Sequence, residues 1–149
     1  MSRTYTITLT AEQAGAVAAA CELAGRLGMC QIADALDALP HDWKAKDRTE
    51  KYCAARDALE DAERAIKPLF GLGFTASFGI AHDRVPERAK RAWDVCKVIR
   101  HRLAWDRAYD EGVVKPGDPR KWPEMMQVDY DEARCVSGEA LPEIEIAGP

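Results

Sequence analysis

The chain has 149 residues, the size of one domain with a single hydrophobic core, which points away from two full domains. With 47% hydrophobic and 31% charged residues, the composition excludes a disordered, collagenous or low-complexity protein. The net charge of -4, from 21 basic and 25 acidic side chains, argues against bulk electrostatic binding to DNA, RNA or an anionic membrane.

At the N-terminus, Tyr5, Ile7 and Leu9 alternate with Thr4, Thr6 and Thr8. That period of two predicts a short half-buried strand. Thr10 and Gln13 form a capping-box pattern, and the alanine-rich residues 11–26 predict a first helix that stops at Gly28. Met29, Ile32, Ala33, Leu36 and Leu39 then recur at helical spacing up to Pro40, predicting a short second helix. In the third, Tyr52, Ala55, Leu59, Ala62 and Ile66 make one apolar stripe that ends before Pro68.

Residues 70–83 hold three of the ten glycines and all three phenylalanines. Without a G-x-G-x-x-G or a following Lys-Ser/Thr they do not make a phosphate loop. They read as a turn followed by a strand over residues 75–80 that pairs with residues 5–9. A fourth helix starts near Pro86 and runs to about Tyr109. Beyond it, Pro116, Pro119, Pro123 and Pro142 mark an extended tail with one strand near residues 126–130. The expected architecture is α+β and predominantly helical: about four helices, a two- or three-stranded sheet, a body over residues 1–112, and an acidic tail over residues 113–149 docked on it.

The N-terminal residues form no apolar signal run, and no stretch is long enough to cross a bilayer, so a cytoplasmic protein without membrane contact is expected. Cys21, Cys30, Cys53, Cys96 and Cys135 include no C-x-x-C pair. Four of them fall in expected helices, where cysteine acts as a small buried hydrophobe. His41, His82 and His101 are not at ligand spacing with any cysteine, and no metal or other cofactor is expected.

The charge is unevenly spread. Residues 82–109 carry 8 basic and 4 acidic side chains, whereas residues 110–149 carry 4 and 10. A basic helix is thus followed by an acidic tail, which could simply neutralise it. On a wheel at roughly 100° per residue, Ala89, Ala92, Trp93, Cys96, Ile99 and Leu103 share one side of the fourth helix, together with Arg100 and Arg107. A guanidinium on an apolar face needs a carboxylate, a row of carbonyls or an anionic ligand. Asp34, Asp37, Asp129 and Asp131 are the carboxylates considered as structural partners. The other answer is a ligand: Arg100, His101, Arg102, Trp105 and Arg107 supply guanidinium forks, an imidazole and an aromatic face, the equipment that holds a phosphate and stacks a base. Val98 and Trp105 make an apolar patch on the opposite side, which suggests a homo-oligomer.

No G-x-S-x-G, H-E-x-x-H, Walker A or H-x-E with C-x-x-C pattern occurs, and no catalytic residue is assigned. Cys96 and His101 point in different directions, and Asp129 with Asp131 are read as solvated or paired acids.

Three stretches are recognisable together: Gly-Met-Cys-Gln-Ile at 28–32, Val-Ile-Arg-His-Arg-Leu-Ala-Trp-Asp at 98–106, and Val-Asp-Tyr-Asp-Glu at 128–132 followed by Ser-Gly-Glu-Ala-Leu-Pro at 137–142. The chain resembles a family of small bacteriophage and prophage proteins, to which no reaction is attached, from its first helix to its tail. Members tend to carry proline after the Asp-Glu pair, where this chain has Ala133. The resemblance implies a phage setting in a bacterial host, where small accessory proteins commonly disable host defences. Joined to Arg100, His101, Arg102, Trp105 and Arg107 on the fourth helix, that setting suggests by analogy an anti-defence protein that sequesters a host nucleotide signal, of cyclic or ADP-ribose type, with Gln31 reading a base or ribose hydroxyl. The alternatives are a protein–protein inhibitor or structural accessory protein, and an enzyme that degrades a nucleotide.

Overall fold

The computed structural model describes residues 5–40, 44–113 and 134–145. Three α-helices stand in chain order as α1 (Ala11–Gly28), α2 (Arg48–Ile66) and α3 (Glu87–Asp110), with 3-10 helices at Ala33–Ala38 and Lys67–Phe70. The capping box at Thr10 forms as expected: its hydroxyl accepts the Gln13 amide at 3.2 Å while its own amide donates to Gln13 Oε1 at 2.9 Å.

The centre of the fold is an antiparallel pair of α1 and α3. Gly28 lies against Ala89, Gly25 against Trp93, and Glu22 pairs with Arg100, so the chains run in opposite directions. A Cβ on Gly25 would stand 2.5 Å from the Trp93 ring, and one on Gly28 would stand 2.5 Å from the Ala89 Cβ. A side chain at either position would therefore force the two helices apart. Met29, Cys30, Phe78, Val85 and Ala89 close this end as one buried cluster. α2 packs against both 3-10 helices; its expected apolar stripe is half-buried.

The expected sheet does not form. Among the described residues there is no strand, and the fold is helical rather than α+β. Residues 5–9 form no helix, turn or bend and have no backbone partner among the described residues. The intended partner, residues 75–80, spends its backbone on local turns, with Ala76 N–H on Gly73 and His82 N–H on Gly79. Phe78 N–H caps the Met29 carbonyl at 3.0 Å, and its ring enters the buried cluster instead of lining a sheet face. The strand expected near residues 126–130 lies outside the described residues.

The second helix is shorter than expected, because residues 29–31 are used to end α1. Cys30 adopts a left-handed backbone with φ 62°, which costs a side-chain-bearing residue roughly 1 kcal/mol. It lets Cys30 N–H reach the Leu27 carbonyl at 3.1 Å and Gln31 N–H reach the Arg26 carbonyl at 3.0 Å, the paired bonds of a Schellman cap. Ala33 N–H then donates to Glu63 of α2 at 2.8 Å, so an acid from another helix starts the 3-10 turn.

The tail docks on α3 over part of its length. Asp94 is 3% exposed, and its carboxylate accepts Val136 N–H at 2.9 Å and Ser137 N–H at 3.0 Å. Arg91 pairs with Glu139 at 2.6 Å. The main anchor reverses the expected polarity, since an acid of the basic helix holds the tail by its amides.

Candidate functional site

The facing residues of the pair recur in steps of three and four: Gly15, Ala18, Glu22 and Gly25 on α1, and Ala89, Trp93, Cys96, Arg100, Leu103 and Arg107 on α3. That is the spacing of a narrow antiparallel seam. Trp93 and Ala89 fill it at one end. At the other, three small residues face one leucine and two long cationic side chains that lean toward solvent. An open groove of about 390 Å³ results, lined by Gly15, Ala18, Ala19, Glu22, Arg100, Leu103 and Arg107.

Its polar equipment is two guanidinium groups and one carboxylate. Arg100 Nη1 meets Glu22 Oε2 at 2.6 Å. Glu22 is also held by Arg26 at 3.1 Å, and Arg26 reaches Asp34 at 3.5 Å while lying over the Trp93 ring at 5.7 Å. The carboxylate found on Arg100 is thus Glu22, which was not among the expected partners. Asp34 serves Arg26, and Asp129 and Asp131 lie outside the described residues. Arg107 is exposed and has no ion-pair partner among the described residues.

The other residues of the expected site lie elsewhere. Trp105 is 4% exposed and sits with its ring 6.4 Å from His101, edge on, and 6.0 Å from Tyr109. Its face is covered, so it offers no platform for a base. Arg102 is clamped along its own helix by Asp106, with contacts of 2.6 and 3.0 Å. Gln31 lies past the far end of α1, about 27 Å along the axis from the level of Arg107 at 1.5 Å rise per residue. Its side chain accepts from Arg26 at 3.0 Å and donates to Ser77 at 3.1 Å, which ties the residue 71–86 connection to the cap of α1. The structure brings Arg100 and Arg107 to one groove and disperses the rest.

Sequence reading missed Glu22 and the groove wall that Gly15, Ala18 and Ala19 form, although the alanines of α1 already pointed to close backbone packing of a central helix. Their spacing was the available signal, because Gly15, Ala18, Glu22 and Gly25 repeat the rhythm of the α3 stripe. It also missed the ion pair between Lys67 and Glu63, whose side chains are 5% and 16% exposed. Lys67 also donates to the Phe74 carbonyl at 3.0 Å. Burial opposes ionisation of Glu63, but hydrogen bonds from Lys67 and from the Ala33 and Ile32 amides outweigh it and hold its pKa below the ordinary 4.5. These contacts fix the closed end and point to no ligand.

Of the four cysteines expected in buried helical positions, Cys96 is buried within α3 and Cys30 is buried in the cap of α1, while Cys21 and Cys53 are only partly covered. Burial, reinforced by the nearby Glu22 charge, pushes the Cys96 thiol up to about 11, far from the range of a reactive thiolate. Among the described residues no three His, Cys, Asp or Glu side chains converge on a metal-sized site, and no helix is long and apolar enough to cross a membrane.

No protein-family model, curated protein or solved structure matches this chain.

Proposed function

We propose that this chain is a binding protein that takes a small phosphate-bearing ligand in the α1–α3 groove. In the phage setting that the sequence resembles, the ligand is a host nucleotide signal of cyclic or ADP-ribose type, sequestered in the bacterial cytoplasm. The observation that carries this reading is Arg107: an exposed guanidinium at the mouth of a groove, beside Arg100 and without a carboxylate of its own among the described residues. An arginine fork in that position matches phosphate oxygens bidentately. The groove carries two cations against one acid, a net charge of +1 that a singly charged phosphate balances. The flat wall of Gly15, Ala18 and Ala19 with Leu103 opposite suits a ring system, in place of the stacking face that Trp105 does not offer. Gln31 is outside this reading.

The test is to incubate the purified protein with a panel of cyclic and ADP-ribose-derived nucleotides, wash it, release the bound fraction by heat, and identify it by chromatography. Intact recovery of one member is expected. Arg107→Ala should weaken that binding by about tenfold to a hundredfold with the circular dichroism unchanged. Recovery of an altered nucleotide means an enzyme, and binding to no member overturns the reading.

One further observation favours a second reading, a protein–protein inhibitor or accessory protein. Leu69, Phe70 and Phe74 are exposed together around the Lys67–Phe70 turn, at the end of the molecule away from the groove. Loss of function on Phe74→Ser, with the groove intact, supports it.

A further inference from the structure

The oligomer expected from Val98 and Trp105 finds no open surface there, because Trp105 is covered within the chain. Among the described residues, a second exposed apolar surface besides Leu69, Phe70 and Phe74 lies at the groove end of the helix pair. Residues 5–9 enter α1 there, with Tyr5 84% and Ile7 77% exposed. Because α1 and α3 are antiparallel, the end of α3 lies at the same end of the molecule, where Tyr109 and Val113 are also exposed. A segment outside any helix or turn, with a strict alternation of β-favouring residues and no backbone partner among the described residues, is an open template for a second strand.

The sequence of the segment says which strand fits. From Tyr5 to Ala11 there is no charged residue. Two copies laid antiparallel about Ile7 put Ile7 opposite Ile7, Tyr5 opposite Leu9 and Thr6 opposite Thr8. All apolar side chains then share one face and all threonines the other. A slip of one residue sets Ile7 against Thr8 and Tyr5 against Thr10, mixing the faces; a slip of two keeps the faces but leaves part of residues 5–9 unpaired, so the register about Ile7 is the one that pairs all five. An unrelated strand could use the backbone edge, but this pairing uses every side chain twice, as a two-fold interface requires. A bare two-stranded ribbon is marginal in water; the exposed Tyr109 and Val113 of both copies supply an apolar floor for it.

We infer that residues 5–9 pair with the same residues of a second copy, making a two-fold dimer through an intermolecular antiparallel ribbon. This inference is independent of any ligand. It also brings the two grooves to one end of the assembly, next to the dimer axis.

The experiment is sedimentation velocity on the full chain, without ligand, at micromolar concentration. A dimer is expected. Ile7→Asp, which sets two carboxylates against each other across the axis, should halve the mass while leaving the helical circular dichroism unchanged. Register is read by disulfide trapping in a Cys135→Ser background: Ile7→Cys should crosslink to itself on mild oxidation far more completely than Thr8→Cys, whose partner is Thr6. A monomeric wild-type chain overturns the inference. So does a dimer that survives Ile7→Asp, which would assign the contact to another surface such as Leu69, Phe70 and Phe74.

Discussion

The two ends of the α1–α3 pair are built from the same seam and finish in opposite ways. At the closed end, Gly25 and Gly28 have no room for even a methyl group, and the Trp93 ring, Ala89, Val85 and the residue 71–86 connection occupy the space. At the open end, a Cβ on Gly15 would meet nothing within 4 Å, and the side chains opposite are Leu103, Arg100 and Arg107. Close packing makes the first end a structural joint, in which any added volume forces the helices apart. The second end keeps the helices together at their roots and leaves a charged trough between them. A glycine in a helix is therefore not one kind of evidence: two of these mark contact and one marks space.

Substitutions can break this contrast, beginning with the largest effect. Glu63→Ala leaves Lys67 buried without its carboxylate and removes the cap on Ala33, so urea denaturation should show a loss of about 3 kcal/mol. The same group predicts an acid dependence. Its folded pKa lies below the ordinary 4.5, so the stability it contributes is present above that value and lost as pH falls through the depressed folded pKa. Glu63→Gln should flatten the melting temperature against pH in that acid range.

Gly28→Ala comes next. The added methyl meets the Ala89 Cβ, which is fixed to its backbone and cannot turn aside, and the net loss after the gain in helix propensity should be about 2 kcal/mol. The same change at Gly15 should raise stability by about 0.5–1 kcal/mol, since helix propensity is gained and nothing is struck. If thermal melts give the two glycine variants the same sign, the contrast between the ends is wrong. Smallest in stability is Arg107→Ala, whose unfolding free energy from urea denaturation should stay within about 0.5 kcal/mol of wild type while ligand binding drops.

Much of the helical framework was legible in the sequence. The Thr10 capping box, the Pro86 start and the side of α3 that carries Arg100 and Arg107 all follow from local rules of capping and periodicity. The sheet was not, because residues 5–9 and 75–80 each satisfy the local pattern of a strand, while pairing depends on what else competes for their backbone. Phe78 N–H had a nearer partner in the open carbonyl at the end of α1. The site was partly legible for the same reason. Arg100 and Arg107 share a face by helical arithmetic alone, but Trp105 and Gln31 were grouped with them by residue type, and type says nothing about distance. Two of the three recognisable stretches have structural work in this fold: residues 28–32 terminate α1 and hold the residue 71–86 connection, and residues 98–106 supply a buried isoleucine, the Glu22 ion pair and a covered tryptophan.

The sequence by itself determined where three helices form and which stripe of α3 is turned inward, because hydrogen bonds within a helix and its 3.6-residue period depend on neighbours a few positions away. Only the tertiary structure decided that Glu22 meets Arg100, that Glu63 caps a turn 30 residues before it, that Gln31 stands at the opposite end from Arg107, and that one end of the seam is filled while the other is open. Those outcomes depend on the antiparallel docking of α1 on α3, separated by 58 residues of chain between Gly28 and Glu87. Docking is set by the fit of glycine to tryptophan and alanine across the interface, a match of shapes that no single stretch of sequence contains.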